Sequence, residues 1–459
     1  MTRSDEPYSR EQLEAWDDAH VWHPFTPQSA YRDDNPLLVA EGDGNYLVTA
    51  DGRRYLDGVG SLWCNLFGHR RKEIDAAISA QLKKIAHATL LGNASVPAVV
   101  LARRLVEIAP EGLTRVFFSD DGSTANEVAL KISYQYWRQA DGGRQKGRTK
   151  FLALTNAYHG DTVGAVSVGG METFHTRFAD LLFDVERAPS PYCYRCPLGK
   201  ERTTCAVDCL AELERVVAEH GDELAAVVLE PGMQGAAGMI PYPDGFLRRA
   251  AEAVRKAGAL LILDEVAMGM GRSGEMFVSA REGVTPDFLL IAKGITGGYL
   301  PLAATLTTDR IHEAFLGRPE EGRTFFHGHT YTGNALGAAA AIATLDIFEK
   351  DRVFDALPEK IERLRTRLET LRDLPAVGDI RQYGLAAGVE IVADRTLKTP
   401  FRASERMGMR VCNLAKERGV FLRPLSDVIV MMPPLSITLE EIDTLVAAIE
   451  HGIRGIGCR

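Results

Sequence analysis

The chain is punctuated by short, wholly apolar runs, each closed by a glycine, a proline or a charged residue. Leu224-Ala-Ala-Val-Val-Leu229 stops at Glu230-Pro-Gly, Leu260-Leu-Ile-Leu263 stops at Asp264-Glu, and the run Pro286 to Ala292 stops at Lys293-Gly. Runs this short and this uniformly apolar fit strands buried on both faces, which is the environment of a parallel sheet. From residue 115 onward strand, loop and helix patterns alternate. Val116–Phe118 leads to a helix through Trp137, Phe151–Leu154 leads to a loop, a helix over Phe246–Ala257 precedes the Asp264 strand, and Leu302–Thr307 is a further strand. Alternation of this kind predicts an α/β fold, a mostly parallel sheet with helices on both faces. Such sheets bind ligands at the carboxyl ends of their strands. Tyr158, Glu230, Asp264 and Lys293 fall there, and Gly122 and Ser123 open a helix.

The remaining chain predicts a smaller α+β domain. Ser9-Arg-Glu-Gln12 has the pattern of a capping box before a short helix. Val21-Trp-His-Pro-Phe-Thr-Pro27 is aromatic and proline-broken, an ordered arm that either packs or lines a site. Short strands are expected near Gly44–Val48 and Arg53–Asp57, joined at Asp51-Gly52. A helix is expected from about Arg71 to His87, and another after the cap residue Ser95 with Pro97 in its first turn. Beyond residue 335 the pattern predicts helices over Ala335–Glu349, Ile361–Leu371 and Arg406–Arg418, strands at Ala387–Val392 and Val428–Met432, and a last helix capped by Thr438-Leu-Glu-Glu441. The expected division is a small-domain segment at 1–70, a large domain at 71–335 and the rest of the small domain at 336–459.

Composition narrows the function classes. With 459 residues, 46% hydrophobic and 25% charged, the chain has the make-up of a globular protein. Its net charge of −9 and the absence of a basic stripe argue against nucleic acid as a partner. Met1-Thr-Arg-Ser-Asp-Glu-Pro7 has no apolar signal core, and no apolar run approaches the length of a membrane span. The seven cysteines, an odd number, fit a reducing cytoplasm better than a disulfide framework.

The strand-end residues are of types that belong together chemically. A lysine at the end of a buried strand is partly desolvated, which favours the neutral, nucleophilic amine, although such lysines also simply reach solvent. A carboxylate in an apolar setting needs a cationic partner; for Asp264 that is either Arg272 or a protonated ring nitrogen. Asp121-Gly-Ser-Thr-Ala-Asn-Glu127 lies between a strand and a helix, where open N–H groups hold phosphate, or where Ser123 or Thr124 merely caps. Tyr158 is either core or a flat face for ring stacking. Phosphate site, aromatic face, carboxylate and lysine together are the parts list for pyridoxal 5′-phosphate.

The motifs Asp121-Gly-Ser-Thr-Ala-Asn-Glu127, Tyr158-His-Gly-Asp161, Glu230-Pro231 with Gln234-Gly235, Leu263-Asp-Glu-Val266 with Gly271-Arg-Ser-Gly274, Ala292-Lys-Gly-Ile-Thr-Gly-Gly298 and His327-Gly-His-Thr-Tyr-Thr-Gly-Asn334 occur in this order. Over nearly its whole length the chain resembles the class III, fold-type I pyridoxal-phosphate aminotransferases. Trp22-His-Pro-Phe-Thr26, Ser61-Leu-Trp63, Leu422-Arg-Pro424 and Met432-Pro-Pro434 are similar to the branch that makes 7,8-diaminononanoate from 8-amino-7-oxononanoate in biotin synthesis. The resemblance implies a cytoplasmic homodimer with shared active sites. It makes Lys293 the covalent cofactor anchor and proton shuttle, and Asp264 the partner of the ring nitrogen. Gly122 and Ser123 would hold the phosphate, Tyr158 and Val266 the two ring faces, with His159 and Glu230 also at the cofactor. Thr330 would reach the neighbouring subunit's phosphate. Phe25 and Trp63 would line the substrate channel, and Arg423 would hold a substrate carboxylate.

Several positions depart from that pattern. Members using S-adenosylmethionine as amino donor often have tyrosine at Phe25, tryptophan at Cys64 and proline at His329; the branch with Phe, Cys and His includes users of lysine. Ala267-Met-Gly-Met270 replaces the usual Ala-Thr-Gly-Phe, which points to a reshaped loop and leaves a broad ω-amine:pyruvate transaminase, or a decarboxylase or aminomutase on the same fold, as alternatives. Cys193, Cys196, Cys205 and Cys209 have a spacing that either binds zinc or an iron–sulfur cluster or is four reduced thiols. A dinucleotide site would need Gly-x-Gly-x-x-Gly, which is absent from the 121–126 turn.

Overall fold

The computed structural model describes residues 8–457, and the chain divides into two compact units. The larger comprises Lys72–Ala356 with Arg381–Gly384. The other comprises the described parts of Met1–Arg71 and Leu385–Arg459, with Leu357–Ile380.

The larger unit is built on a seven-stranded sheet. Its strands in chain order are β1 (Leu113–Ser119), β2 (Lys150–Leu154), β3 (Glu186–Ala188), β4 (Leu224–Leu229), β5 (Leu260–Asp264), β6 (Phe288–Ile291) and β7 (Ala303–Thr308). Their order across the sheet is β1-β7-β6-β5-β4-β2-β3. β3, β2, β4, β5 and β6 run parallel, and β7 runs antiparallel to both β6 and the edge strand β1. Every residue of β4, β5 and β6 is buried, so these strands are apolar on both faces. Helix α1 (Gly122–Gln139) packs across the sheet, burying Val128, Ala129, Ile132 and Tyr136.

Helix α2 (Ala335–Lys350) packs on Lys72–Leu82 and Val96–Ile108. It therefore belongs to the larger unit, and the expected boundary at residue 336 moves to Leu357. Its alanines explain why: small side chains let neighbouring helices pack close on almost every face. The expected helix 71–87 ends at Leu82. Ser95 occupies the cap position before Val96, but its hydroxyl is buried without a partner and makes no cap bond.

In the other unit Val39–Asp43, Tyr46–Thr49, Arg54–Asp57 and Val420–Phe421 form one sheet. Ala386–Ile391, Val428–Met431 and Pro424–Leu425 pair antiparallel in another. Both expected capping boxes are present: Ser9 with Gln12 on Arg10–His20, and Thr438 with Glu441 on Leu439–Gly455. Met1–Pro7, the stretch read for a signal core, lies outside the described residues.

Candidate active site

Four adjacent parallel strands deliver the strand-end residues to one edge. β2 leads to Tyr158 and His159, β4 to Glu230, β5 ends at Asp264, and β6 leads to Lys293. Asp264 is in register with Leu290, three residues before Lys293. Lys293 opens a short 3₁₀ turn with φ +44°, a left-handed conformation that costs a non-glycine residue about 1 kcal/mol and clusters at functional sites.

Asp264 is nearly buried and is held by a defined set of donors. His159 Nδ1 lies 2.8 Å from its Oδ2, Asn126 Nδ2 donates to the same oxygen at 3.0 Å, and the Val266 N–H donates to Oδ1 at 3.1 Å. Because the carboxylate accepts, His159 carries its proton on Nδ1. Arg272 is one of the two partners expected for Asp264; the side chains that bond to it belong to His159 and Asn126. Asn126 lies within the Asp121–Glu127 motif, where the sequence alone assigns it no role. The available signal was helical spacing, three residues after Ser123 on the same face of α1.

Glu230 is fully buried. Its Oε1 accepts the Tyr158 N–H at 3.0 Å and its Oε2 accepts the Gly235 N–H at 2.9 Å. Burial pushes its pKa up to about 7, against the opposing pull of His159 and those two amides. The Tyr158 hydroxyl donates to Asp161 at 2.7 Å, and burial first, then that bond, drives its pKa upward. A phenol so held stays neutral and presents its ring.

The start of α1 leaves backbone donors open to an anion. The Asp121 side chain accepts the Thr124 N–H at 2.8 Å, and Asp121 O accepts Ala125 N–H. The N–H groups of Gly122 and Ser123 are left at the open end of an 18-residue helix. A Cβ on Gly122 would lie 2.8 Å from Val266 Cγ1, and one on Gly160 would lie 2.1 Å from Ser123 Oγ. Both glycines thus keep backbone close to the cradle. A phosphate-binding helix end, a carboxylate with one oxygen partly uncommitted, an aromatic side chain and a strand-end lysine within one unit fit pyridoxal phosphate by donor chemistry.

Other expected residues are placed as follows. Thr330 is exposed in a turn, and the adjacent His329 Nδ1 is 3.0 Å from Asp120 Oδ2, next to the cradle. Phe25, Trp63 and Arg423 lie in the other unit. There Arg423 donates to the carbonyl of Phe25 at 2.7 Å, Phe25 is exposed, and Trp63 is buried. Met268 and Met270, expected to reshape a loop, are packed inside the protein. Cys193, Cys196, Cys205 and Cys209 line one cavity with Tyr192, Lys200 and Tyr242. Cys205 Sγ is engaged by the Asp208 N–H at 3.4 Å, and among the described residues no three His, Cys, Asp or Glu side chains are grouped to hold a metal ion.

Comparison with known proteins agrees with this geometry. The profile of the family "Aminotransferase class-III" matches residues 28–453. The chain is 55% identical over 443 residues to the adenosylmethionine-8-amino-7-oxononanoate aminotransferase of Nitratidesulfovibrio vulgaris, covering 96% of this chain and 81% of that one. It superposes on the crystal structure of the enzyme of the same name from Methanocaldococcus jannaschii with TM-score 0.92 and 45% identity, over 97% and 99% of the two chains. An amine transaminase from an uncultivated Pseudomonas species, solved in its PLP-bound form, superposes with TM-score 0.88 and 38% identity over 95% and 99%.

Proposed function

The chain belongs to the class-III aminotransferase family, and we propose that it transfers an amino group to 8-amino-7-oxononanoate to give 7,8-diaminononanoate. The observation that carries this reading is a relative of that acceptor's name at 55% identity across 96% of the chain. The amino donor is S-adenosylmethionine by the names of the relatives; Phe25, Cys64 and His329 point to lysine as the second candidate.

Pyridoxal 5′-phosphate is the family's cofactor, and when bound it supplies an aldehyde that condenses with amines and a ring that accepts the electron pair released at the donor carbon. The chain's own residues do the rest. The Lys293 amine would anchor the cofactor covalently, and once released would take the proton from the donor carbon and deliver it to the cofactor carbon that bore the aldehyde. Asp264 would pair through its Oδ1 with the cofactor's ring nitrogen. The N–H groups of Gly122 and Ser123 would hold the phosphate at the positive end of α1. Tyr158 and Val266 would flank the ring, while His159 holds Asp264 and Glu230 holds the Tyr158 backbone in place. Arg423 is assigned the substrate carboxylate, with Phe25 and Trp63 lining the substrate's path.

The functional form is a homodimer in the cytoplasm, with Thr330 completing the phosphate site of the partner. Supporting this, Leu91, Val96, Val99, Phe326 and Tyr331 are exposed apolar side chains in the same unit as Thr330. Segments 86–98 and 328–334 touch: the His87 and Tyr331 rings lie 5.0 Å apart, and Asn334 Nδ2 donates to Ala86 O.

The test is a half-reaction. Holoprotein is mixed separately with S-adenosylmethionine, L-lysine and 1-phenylethylamine while the cofactor's visible band is followed. 8-Amino-7-oxononanoate is then added. The expected result is bleaching by one of the first two amines and recovery with the keto acid. Bleaching by 1-phenylethylamine with no recovery would overturn the proposal in favour of a broad amine transaminase, the reading that the 38% identical amine transaminase favours.

A further inference from the structure

Asn126 lies one helical turn into α1 from the cradle and is fully buried. Both hydrogens of its amide nitrogen are used. One goes to Asp264 Oδ2 at 3.0 Å, and the other to the backbone carbonyl of His159 at 3.3 Å. His159 Nδ1 meets the same Oδ2 at 2.8 Å, and Val266 N–H meets Oδ1 at 3.1 Å. Oδ2 is thereby saturated by two side-chain donors, while Oδ1 retains a lone pair.

The other end of the amide is informative. Asn126 Oδ1 is buried without a hydrogen-bond partner. An unsatisfied buried carbonyl is costly, and an apolar residue of the same size would avoid that cost. The amide is therefore of use here through its N–H₂ group alone. That group ties three separate pieces of the site together: the helix bearing the phosphate cradle, the turn bearing Tyr158 and His159, and the end of β5. It is also a donor that carries no charge and does not itself titrate, so the contact to Asp264 Oδ2 is fixed by geometry.

Resting on the aminotransferase reading above, we propose that Asn126 is a positioning residue for Asp264. It holds Oδ2 so that Oδ1 is the oxygen left for the cofactor's ring nitrogen, and it sets the spacing between that contact and the phosphate cradle. Asn126 touches neither substrate nor cofactor in this role; it acts through Asp264.

The experiment measures equilibrium binding of two compounds to apoprotein by fluorescence titration. One is pyridoxal phosphate, and the other is its analogue with the ring nitrogen replaced by C–H. For Asn126→Ala, the dissociation constant for pyridoxal phosphate is expected to rise about tenfold over the parent, the loss of one charge-assisted hydrogen bond. For the carbon analogue the change is expected to stay within about twofold, because the Asp264 contact is absent there. A role in packing alone would weaken both compounds equally, and that result, or no change in either, overturns the proposal. If Asn126→Ala does not fold, Asn126→Ser, which offers a shorter donor, is read in the same way. Failure of the parent apoprotein to take up pyridoxal phosphate would overturn the cofactor reading beneath, and the proposal with it.

Discussion

The Oε1 atom of Glu230 accepts the backbone N–H of Tyr158 at 3.0 Å, so a carboxylate at the end of β4 fixes the residue that follows β2. Its other oxygen holds the Gly235 N–H. This buried acid has a folded-state pKa raised to about 7, from an ordinary value of 4.5, chiefly by burial. An acid that binds its proton more tightly when folded favours folding fully below its unfolded pKa, and that contribution is lost as pH rises through the folded pKa. Thermal melts of the parent and Glu230→Gln from about pH 4.5 to 8 should therefore show the parent losing stability relative to the variant as pH rises towards 7. Glutamine adds a pH-independent cost, because its amide must point a donor at a backbone N–H. A parent-minus-variant difference that stays flat across the window would refute the assignment. Glu265, raised to about 7 by burial and holding the N–H groups of Val278 and Ser279, should behave alike.

Lys293→Ala should purify without the visible band of bound cofactor and should lose at least roughly a thousandfold in kcat, the scale expected when a covalent catalyst is removed. Borohydride reduction of the parent holoprotein, followed by peptide mass mapping, should place the cofactor on Lys293. Label on any other lysine would exclude Lys293 as the anchor. The left-handed backbone at this position is equally strained for alanine, so the fold should be little changed.

Gly122→Ala should destabilise the apoprotein by about 1–3 kcal/mol, since its Cβ would sit 2.8 Å from Val266 Cγ1 in a packed region. The φ of Gly122 is ordinary, so the effect is steric alone. Adding Val266→Ala should recover most of that loss in a denaturant melt while leaving cofactor binding weak, because Val266 is also assigned a ring face. Additive destabilisation in the double variant would show that the two side chains do not compete for the same space.

The parallel strands were legible because β4, β5 and β6 are buried on both sides and are bounded by charged or turn residues, a pattern with few other solutions. Strand order and the antiparallel β7 were not, because Ala303–Thr308 looks locally like any other buried strand. Val39–Asp43 escaped notice since its residues are almost all exposed. The helix Val353–Glu369 starts well before the expected Ile361 because Pro358 lies inside it, and proline reads as a boundary. In the site, Lys293 and Asp264 announced themselves by sitting at the ends of apolar runs. Asn126 did not, because its meaning depends on what stands across the sheet edge, and sequence spacing of more than a hundred residues to Asp264 carries no such information.

Val96→Asp tests the shared-site dimer without disturbing the monomer. Val96 is 79% exposed and is the first residue of the helix Val96–Ile108. An aspartate there interacts favourably with the helix dipole and removes little packing within the chain. At a two-fold interface the substitution appears twice, so at roughly 2 kcal/mol per buried charge-for-valine exchange dimerisation should weaken on the order of a thousandfold. Sedimentation velocity should then show monomer at micromolar concentration. Cofactor retention should fall in parallel, because Thr330, adjacent to the His329 that bonds Asp120, would no longer reach a partner's phosphate. The two losses must move together. A monomeric Val96→Asp that kept pyridoxal phosphate as tightly as the parent would show that each chain builds its site alone.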